Sequence, residues 1–115
     1  MSNDAIDMQE VLERVQDDKE LLMELLQIYC DDYVEKWKTF NEAVDKSDYE
    51  QLRTLSHSLK GASGNISAKK LRTSFLDLEE MAKQKDLSRA KEILKLIDQQ
   101  FNELKEYIAA NTLLP

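Results

Sequence analysis

Apolar residues recur at three- and four-residue spacing along nearly the whole chain, the period of amphipathic helices. The longest stripe runs through Leu22, Leu26, Tyr29, Tyr33, Trp37, Phe40 and Val44. It predicts a helix over 18–45, roughly 40 Å long at 1.5 Å per residue. A shorter stripe before it, Met8, Val11, Leu12 and Val15, predicts a helix over 8–15. Three more follow. Leu52, Leu55, Leu59, Ala62 and Ile66 mark a helix over 48–64, and Ala68, Leu71, Phe75, Leu78 and Ala82 one over 67–84. Ala90, Ile93 or Leu94, Ile97, Phe101, Leu104 and Ile108 mark the last, over 87–110, with residues 112–115 expected as a frayed tail.

Polar residues at the joints set the boundaries. Asp7 with Glu10, Asp17 with Glu20 and Ser47 with Glu50 all have the spacing of a capping box. Ser67 fits as the cap of the fourth helix, and Asp86 or Ser88 as the cap of the fifth. The third helix is expected to close at Gly64-Asn65, because glycine and asparagine accept left-handed dihedrals. Short connections between long amphipathic helices imply antiparallel neighbours. The predicted fold is all-α: an up-down-up-down four-helix bundle with a short additional N-terminal helix over one end. Residues 1–115 read as a single domain without repeat or linker.

Composition sharpens this picture. Two glycines and one proline leave little turn punctuation, which agrees with a helical chain. Cys30, the single cysteine, has no partner for an internal disulfide and none at metal-ligand spacing, so it reads as a packing residue. No signal sequence is visible, and no apolar run reaches the ~18 residues of a membrane span. A cytoplasmic protein is expected, and Asn65-Ile66-Ser67 is then a coincidental sequon. The net charge of −7 argues against nucleic-acid binding, which needs a basic footprint. Charge is uneven, however. Residues 1–50 carry 15 acidic and 5 basic side chains, and the remainder 8 acidic and 11 basic.

The stretch 51–71 holds the only histidine, His57, and both glycines, Gly61 and Gly64, and has no acidic residue. Over 51–76, Arg53, Lys60, Lys69, Lys70 and Arg72 stand without counter-charge, which suits either a solvated face or a small site for an anion or acidic partner. A helical wheel at ~100° per residue puts His57 opposite the Leu52–Ile66 stripe, with Arg53, Lys60, Gly61 and Gly64 within roughly 60° of it. Gly61 lies inside the helical pattern, where glycine costs about 1 kcal/mol relative to alanine. Its bare backbone lets a second molecule approach the imidazole, and Lys60 can reach a negative group carried on the ring. A neutral, exposed imidazole beside a lysine suits acceptance of a phosphoryl group. A hydrolytic triad would need a base paired with Ser or Cys in a water-excluding cleft, and a convex helix face supplies neither cleft nor oxyanion hole. Metal binding lacks a second His or Cys at ligand spacing, and Gly61-Ala62-Ser63-Gly64 lacks the order of a phosphate-binding loop.

The run His57-Ser58-Leu59-Lys60-Gly61-Ala62-Ser63-Gly64-Asn65-Ile66-Ser67-Ala68 resembles the signature of histidine-containing phosphotransfer (HPt) domains, H-x-L-K-G followed by small residues and an I-G-A turn. The resemblance spans nearly the whole chain, with Phe75-Leu76-Asp77-Leu78-Glu79 matching the family's downstream pattern. Ser67 departs from it, standing where the family usually has glycine. The resemblance implies a phosphorelay intermediate: His57 takes a phosphoryl group from the phospho-aspartate of one response-regulator receiver domain and passes it to another. It implies that Lys60 stabilises the phosphorylated ring, that Gly61 clears its approach, and that Glu79, 22 residues on, bonds the ring's other nitrogen. Glu79 lies at the edge of its helix's buried face, so it either reaches the neighbouring helix or is solvated. The chain would hold no cofactor or metal of its own, since the receiver brings the Mg²⁺, and would not be an enzyme in its own right. Expected partners are receiver domains and a hybrid sensor histidine kinase, with no nucleic acid, no membrane and a monomeric state. Docking needs apolar surface near the histidine. Leu76, Met8 and Leu12 are the candidates, with Arg53 and Gly64 on the same rim.

Two other readings fit the same residues. One is an HPt-like bundle that binds a receiver or kinase without transferring phosphate. The other is a structural adaptor in which the histidine is incidental. Label transfer to His57 separates them from the relay.

Overall fold

The computed structural model describes residues 4–111. Its elements, in order, are α1 (Met8–Arg14), α2 (Lys19–Asp45), α3 (Tyr49–Asn65), α4 (Lys69–Gln84) and α5 (Ala90–Ala110). Helices α2 to α5 form the antiparallel bundle, each packed against the next, with α2 also touching α5 to close the ring. The short α1 lies against α2. The body measures 41 × 26 × 20 Å, so its long axis is set by α2.

The core follows the apolar stripes. Leu22, Leu26, Tyr29, Tyr33, Phe40 and Val44 of α2 are buried, as are Leu71, Phe75, Leu78 and Ala82 of α4. Both Ile93 and Leu94 are buried on α5. Tyr33 stacks on Phe101 with centroids 3.6 Å apart and meets Phe75 edge-on at 6.5 Å, tying three helices together at mid-bundle. Trp37 is half-buried and stacks on Tyr33 at 5.0 Å. Cys30 is half-buried beside this core, and burial raises its thiol pKa.

The joints differ from the sequence expectation in a systematic way. Helices α1 to α4 all end in the same turn. The amide after the left-handed residue reaches five residues back: Asp17 to the Leu12 carbonyl, Asp48 to Ala43, Ala68 to Ser63 and Asp86 to Met81. The left-handed residues, Gln16, Ser47, Ser67 and Lys85, are all non-glycine, with φ between 53° and 57°. This is the Schellman closure, which satisfies terminal carbonyls at a cost of about 1–2 kcal/mol for a non-glycine left-handed residue. The turn uses up the position where a cap was expected and moves the cap on by one. Asp18 caps α2 through Leu21 N, in place of Asp17, whose own φ is 60°. Asp48 caps α3 through Gln51 N, in place of Ser47. Ser67 does not cap α4 either, since that position falls to Ala68, which offers no side-chain bond. Only Asp7, free of such a turn, caps its helix where the spacing put it, accepting from Glu10 N.

Two further expectations are corrected. Gly64 and Asn65 do not turn left-handed: both lie within α3, and no glycine has positive φ. Neither Asp86 nor Ser88 caps α5. Asp86 accepts from Ser88 N inside the connection, and α5 starts at Ala90 behind an Arg89 cap that makes no side-chain bond. The tail at 112–115 lies outside the described residues.

Candidate functional site

The buried face of α3 consists of Leu52, Ser56, Leu59 and Ser63, continued by Ile66 at its C-cap. Leu55 and Ala62, assigned to that face from their apolarity, are only half-buried. The true face is rotated by roughly 40° from the apolar stripe, toward the side that carries Lys60. Serines are polar by type, so a hydrophobic pattern passes over them, yet here they are the contact residues. Ser63 Oγ is held by the Leu59 carbonyl and by Tyr29 Oη, both at 2.7 Å. Ser74 of α4, also buried, donates to Gln100 of α5 at 2.8 Å, and α3 and α4 make the most extensive helix contact in the molecule.

This close approach assembles the site. His57 projects from α3 with its side chain 69% exposed, and its Nδ1 atom lies 2.8 Å from Glu79 Oε2. The other carboxylate oxygen, Oε1, accepts from Lys60 Nζ at 2.7 Å. Glu79 itself is only 3% exposed. Of the two placements open in the sequence, the neighbouring helix rather than solvent is the one observed. The Lys60 bond, set against burial and helped by the His57 bond, holds the Glu79 carboxyl below its ordinary pKa. An ionised carboxylate only accepts, so in the neutral ring the Nδ1 atom carries the hydrogen and Nε2 keeps the lone pair. Among the described residues Nε2 has no partner.

Around the ring the surface is open. Gly61 is exposed, and a Cβ built there meets nothing within 4 Å. Gly64, half-buried, has Arg72 alongside, with Cδ 3.4 Å from where a Cβ would stand, and its carbonyl accepts from Arg14. Arg53 is exposed and Leu76 half-buried. Met8 and Leu12 are half-buried and packed against the core from α1. On α2, Ile28 is 63% exposed beside the buried Tyr29 that bonds Ser63. It lies off the apolar stripe, so the sequence reading passed it by.

The run of unopposed positive charge is corrected by the third dimension. Lys60 is paired with Glu79, and Lys69 with Asp7 and Glu10 at 3.1 and 2.9 Å. Arg53, Lys70 and Arg72 remain without an ion pair among the described residues. Lys69 belongs to a polar clasp that holds α1 to the α3–α4 corner. There Ser67 Oγ donates to Glu10 at 2.9 Å, the Ser67 carbonyl accepts from Asp7 N at 3.0 Å, and Arg14 bonds Glu10 at 3.0 Å. That corner is about two turns, roughly 10 Å, along α3 from His57. Among the described residues, no group of three or more His, Cys, Asp or Glu side chains could hold a metal ion, and no helix is long and apolar enough to cross a membrane.

A presented histidine on a helical bundle, anchored from the next helix, is the arrangement of a phosphotransfer domain. Residues 24–108 match the Hpt domain family, and the chain belongs to that family. Its members are phosphocarriers and not enzymes of the usual kind. The fold is similar to the crystal structure of histidine-containing phosphotransfer protein B from Pseudomonas aeruginosa PAO1, with a TM-score of 0.86 over 99% of this chain and 100% of that one. Sequence identity to that protein is 23%, so the likeness is one of fold. No curated protein sequence matches the chain.

Proposed function

We propose that this protein is a phosphorelay intermediate in which His57 accepts a phosphoryl group from the phospho-aspartate of a receiver domain and delivers it to the aspartate of another. The observation that carries this reading is the His57–Glu79 bond of 2.8 Å beneath a side chain 69% exposed. In the neutral ring it leaves the lone pair on Nε2, in a setting where Gly61 offers no obstruction. In the transfer, the Nε2 lone pair forms the N–P bond while the P–O bond to the donor aspartate breaks, its electrons leaving on that carboxylate. The ring gains positive charge, and the Nδ1–H bond to Glu79 offsets it. Return transfer reverses the same steps. The Mg²⁺ that screens the phosphoryl oxygens would come with the receiver. Arg53, Gly64, Leu76, Met8 and Leu12 are proposed to form the docking rim, with a hybrid histidine kinase as a further partner.

The test is transfer from phosphorylated receivers, followed by the chemistry of the label. Phosphohistidine is labile to acid and stable to base, and the label should be lost in His57→Gln. Label persisting in His57→Gln would remove His57 from the mechanism. Binding to receivers with no transfer from any of them would favour the non-transferring interaction module.

A further inference from the structure

Gly64 lies inside α3 without a positive φ, so no left-handed turn explains a glycine there. What lies against it is Arg72 of α4. A Cβ at Gly64 would touch Arg72 Cδ at 3.4 Å and Nε at 3.5 Å, so any longer side chain would push the arginine away from α3. Gly64 is seven residues after His57, and Arg72 seven before Glu79. The antiparallel register that brings His57 to Glu79 therefore also brings Gly64 to Arg72. The second pair lies two turns along on the same face, roughly 10 Å from the first.

Arg72 finds no counter-charge within the chain. It is exposed and makes no ion pair among the described residues. The positions three and four away on its helix are Ala68, Lys69, Phe75 and Leu76, none of them acidic. With Arg14 and Lys69 it lines a hollow of about 460 Å³ whose one carboxylate is that of Glu10. Glu10 is already shared by Arg14, Lys69 and Ser67. Neutralisation of Arg72 has to come from another molecule.

A standard protein interface covers about 800 Å² on each partner, a disc of roughly 16 Å radius. A partner that seats a phosphoryl donor on His57 with a patch of that size covers Arg72 as well. Stripping water from an arginine that meets no opposite charge opposes docking. An arginine that meets a carboxylate gains a charge-assisted, often bidentate, bond instead. One side chain thus favours acidic partners and penalises the rest.

We infer that Arg72 is a specificity-determining residue for docking, and that the receiver it selects carries an Asp or Glu side chain roughly 10 Å from the aspartate that is phosphorylated. Gly64 contributes by leaving room on α3 for the guanidinium. This role rests on the reading of His57 as the point where a receiver docks, and adds to it the chemistry that the partner presents.

Binding and labelling of the full chain by a panel of purified, phosphorylated receiver domains give a half-saturating concentration and a maximal rate for each. With the receiver that labels the wild type fastest, Arg72→Glu should raise the half-saturating concentration about 30-fold or more, and Arg72→Ala about 5- to 20-fold. The maximal rate should change by less than about three-fold, because Arg72 does not touch the ring. Lys70→Glu is the matched control. It makes the same charge reversal at an exposed, unpaired cation two residues away, which places it about 160° around α4 from Arg72. It should shift the half-saturating concentration by less than about three-fold. Changing the acidic residues of that receiver to arginine one at a time should yield one variant that recovers labelling of Arg72→Glu. Equal weakening by Arg72→Glu and Lys70→Glu would reveal only a general field and overturn the inference, as would a wild-type half-saturating concentration in Arg72→Glu or the failure of every receiver variant to recover it. In each of those cases labelling of the wild type leaves the phosphotransfer reading standing. Receivers that bind with the expected Arg72 dependence but transfer nothing support the docking role and defeat the phosphotransfer reading. Absence of binding and transfer with every receiver defeats both.

Discussion

His57 and Glu79 are 22 residues apart in the chain, on different helices, and their side chains meet at 2.8 Å. One partner is exposed and the other buried, so the bond ties a surface ring to a fixed point inside the bundle. Removing that point should affect chemistry more than stability. Glu79→Ala should slow phosphoryl acceptance by about 10- to 100-fold, the range of one charge-assisted hydrogen bond. Glu79→Gln, which retains an acceptor, should lose less. Initial rates of labelling from a phosphorylated receiver decide this, with circular dichroism as the folding control. A full rate in Glu79→Ala would make the contact incidental.

Gly61 separates function from stability. It lies in the interior of α3 with open space where a Cβ would stand. Gly61→Ala should stabilise the protein by about 0.5–1 kcal/mol and raise Tm by a few degrees. Gly61→Arg should fold as well as the wild type yet block transfer by filling the approach to the ring. Thermal denaturation and transfer assays on the two variants give the comparison. A marked loss of Tm in Gly61→Ala would make the glycine a packing residue.

Ser67 combines a cost and a bond. Its φ of 57° disfavours any side chain, while its hydroxyl donates to Glu10 at 2.9 Å. In Ser67→Gly the two changes should nearly cancel, leaving stability within about 1 kcal/mol of wild type. Protection of α1 amides from hydrogen exchange should nonetheless fall, because one strand of the clasp is gone. Ser67→Val, a branched residue at positive φ without the hydroxyl, should be clearly destabilised.

The clasp should also respond to pH. Asp7 is held below the usual carboxylate range by its Glu10 backbone bond and by Lys69, and Glu10 by Lys69 and Ser67. Lys69 is raised by the same two carboxylates, Glu10 first. Depressed carboxylates contribute stability that is present above their unfolded values and lost as pH falls through the folded ones. The raised lysine contributes below its unfolded value and loses that contribution as pH rises through the folded one. Attachment of α1 should therefore be firm between these limits and loosen first in acid. Amide exchange of α1 relative to α5 across pH would show this. Equal loss in both helices would mean that the apolar anchors Ile6, Val11 and Val15 alone hold α1 in place.

Much of the fold was legible because it is periodic. A stripe such as Leu22 to Val44 needs only the 3.6-residue repeat to declare a helix and its inward face, and five such stripes declare a bundle. His57 was legible for the same reason, being the polar exception on a helix whose apolar side lies elsewhere. What misled was residue type standing in for environment. Ser56 and Ser63 are polar in a list and buried in the bundle, so the inward face of α3 was drawn too far from α4. The caps expected at Asp17, Ser47 and Ser67 fall one residue early because nothing local says that these residues will turn left-handed and pass the cap to the next position.

Residue spacing alone establishes the helices, the bundle, and a lone imidazole displayed with Lys60 and Gly61 on its own helix. These are relations within a turn or two of chain, where spacing is geometry. It takes the packed bundle to place Glu79 beneath that imidazole, to give its other oxygen to Lys60, and to draw Lys69 into the clasp on α1. Those contacts depend on how closely α3 and α4 approach and how they are rotated. That is settled by packing across the whole interface and is not written at any one position.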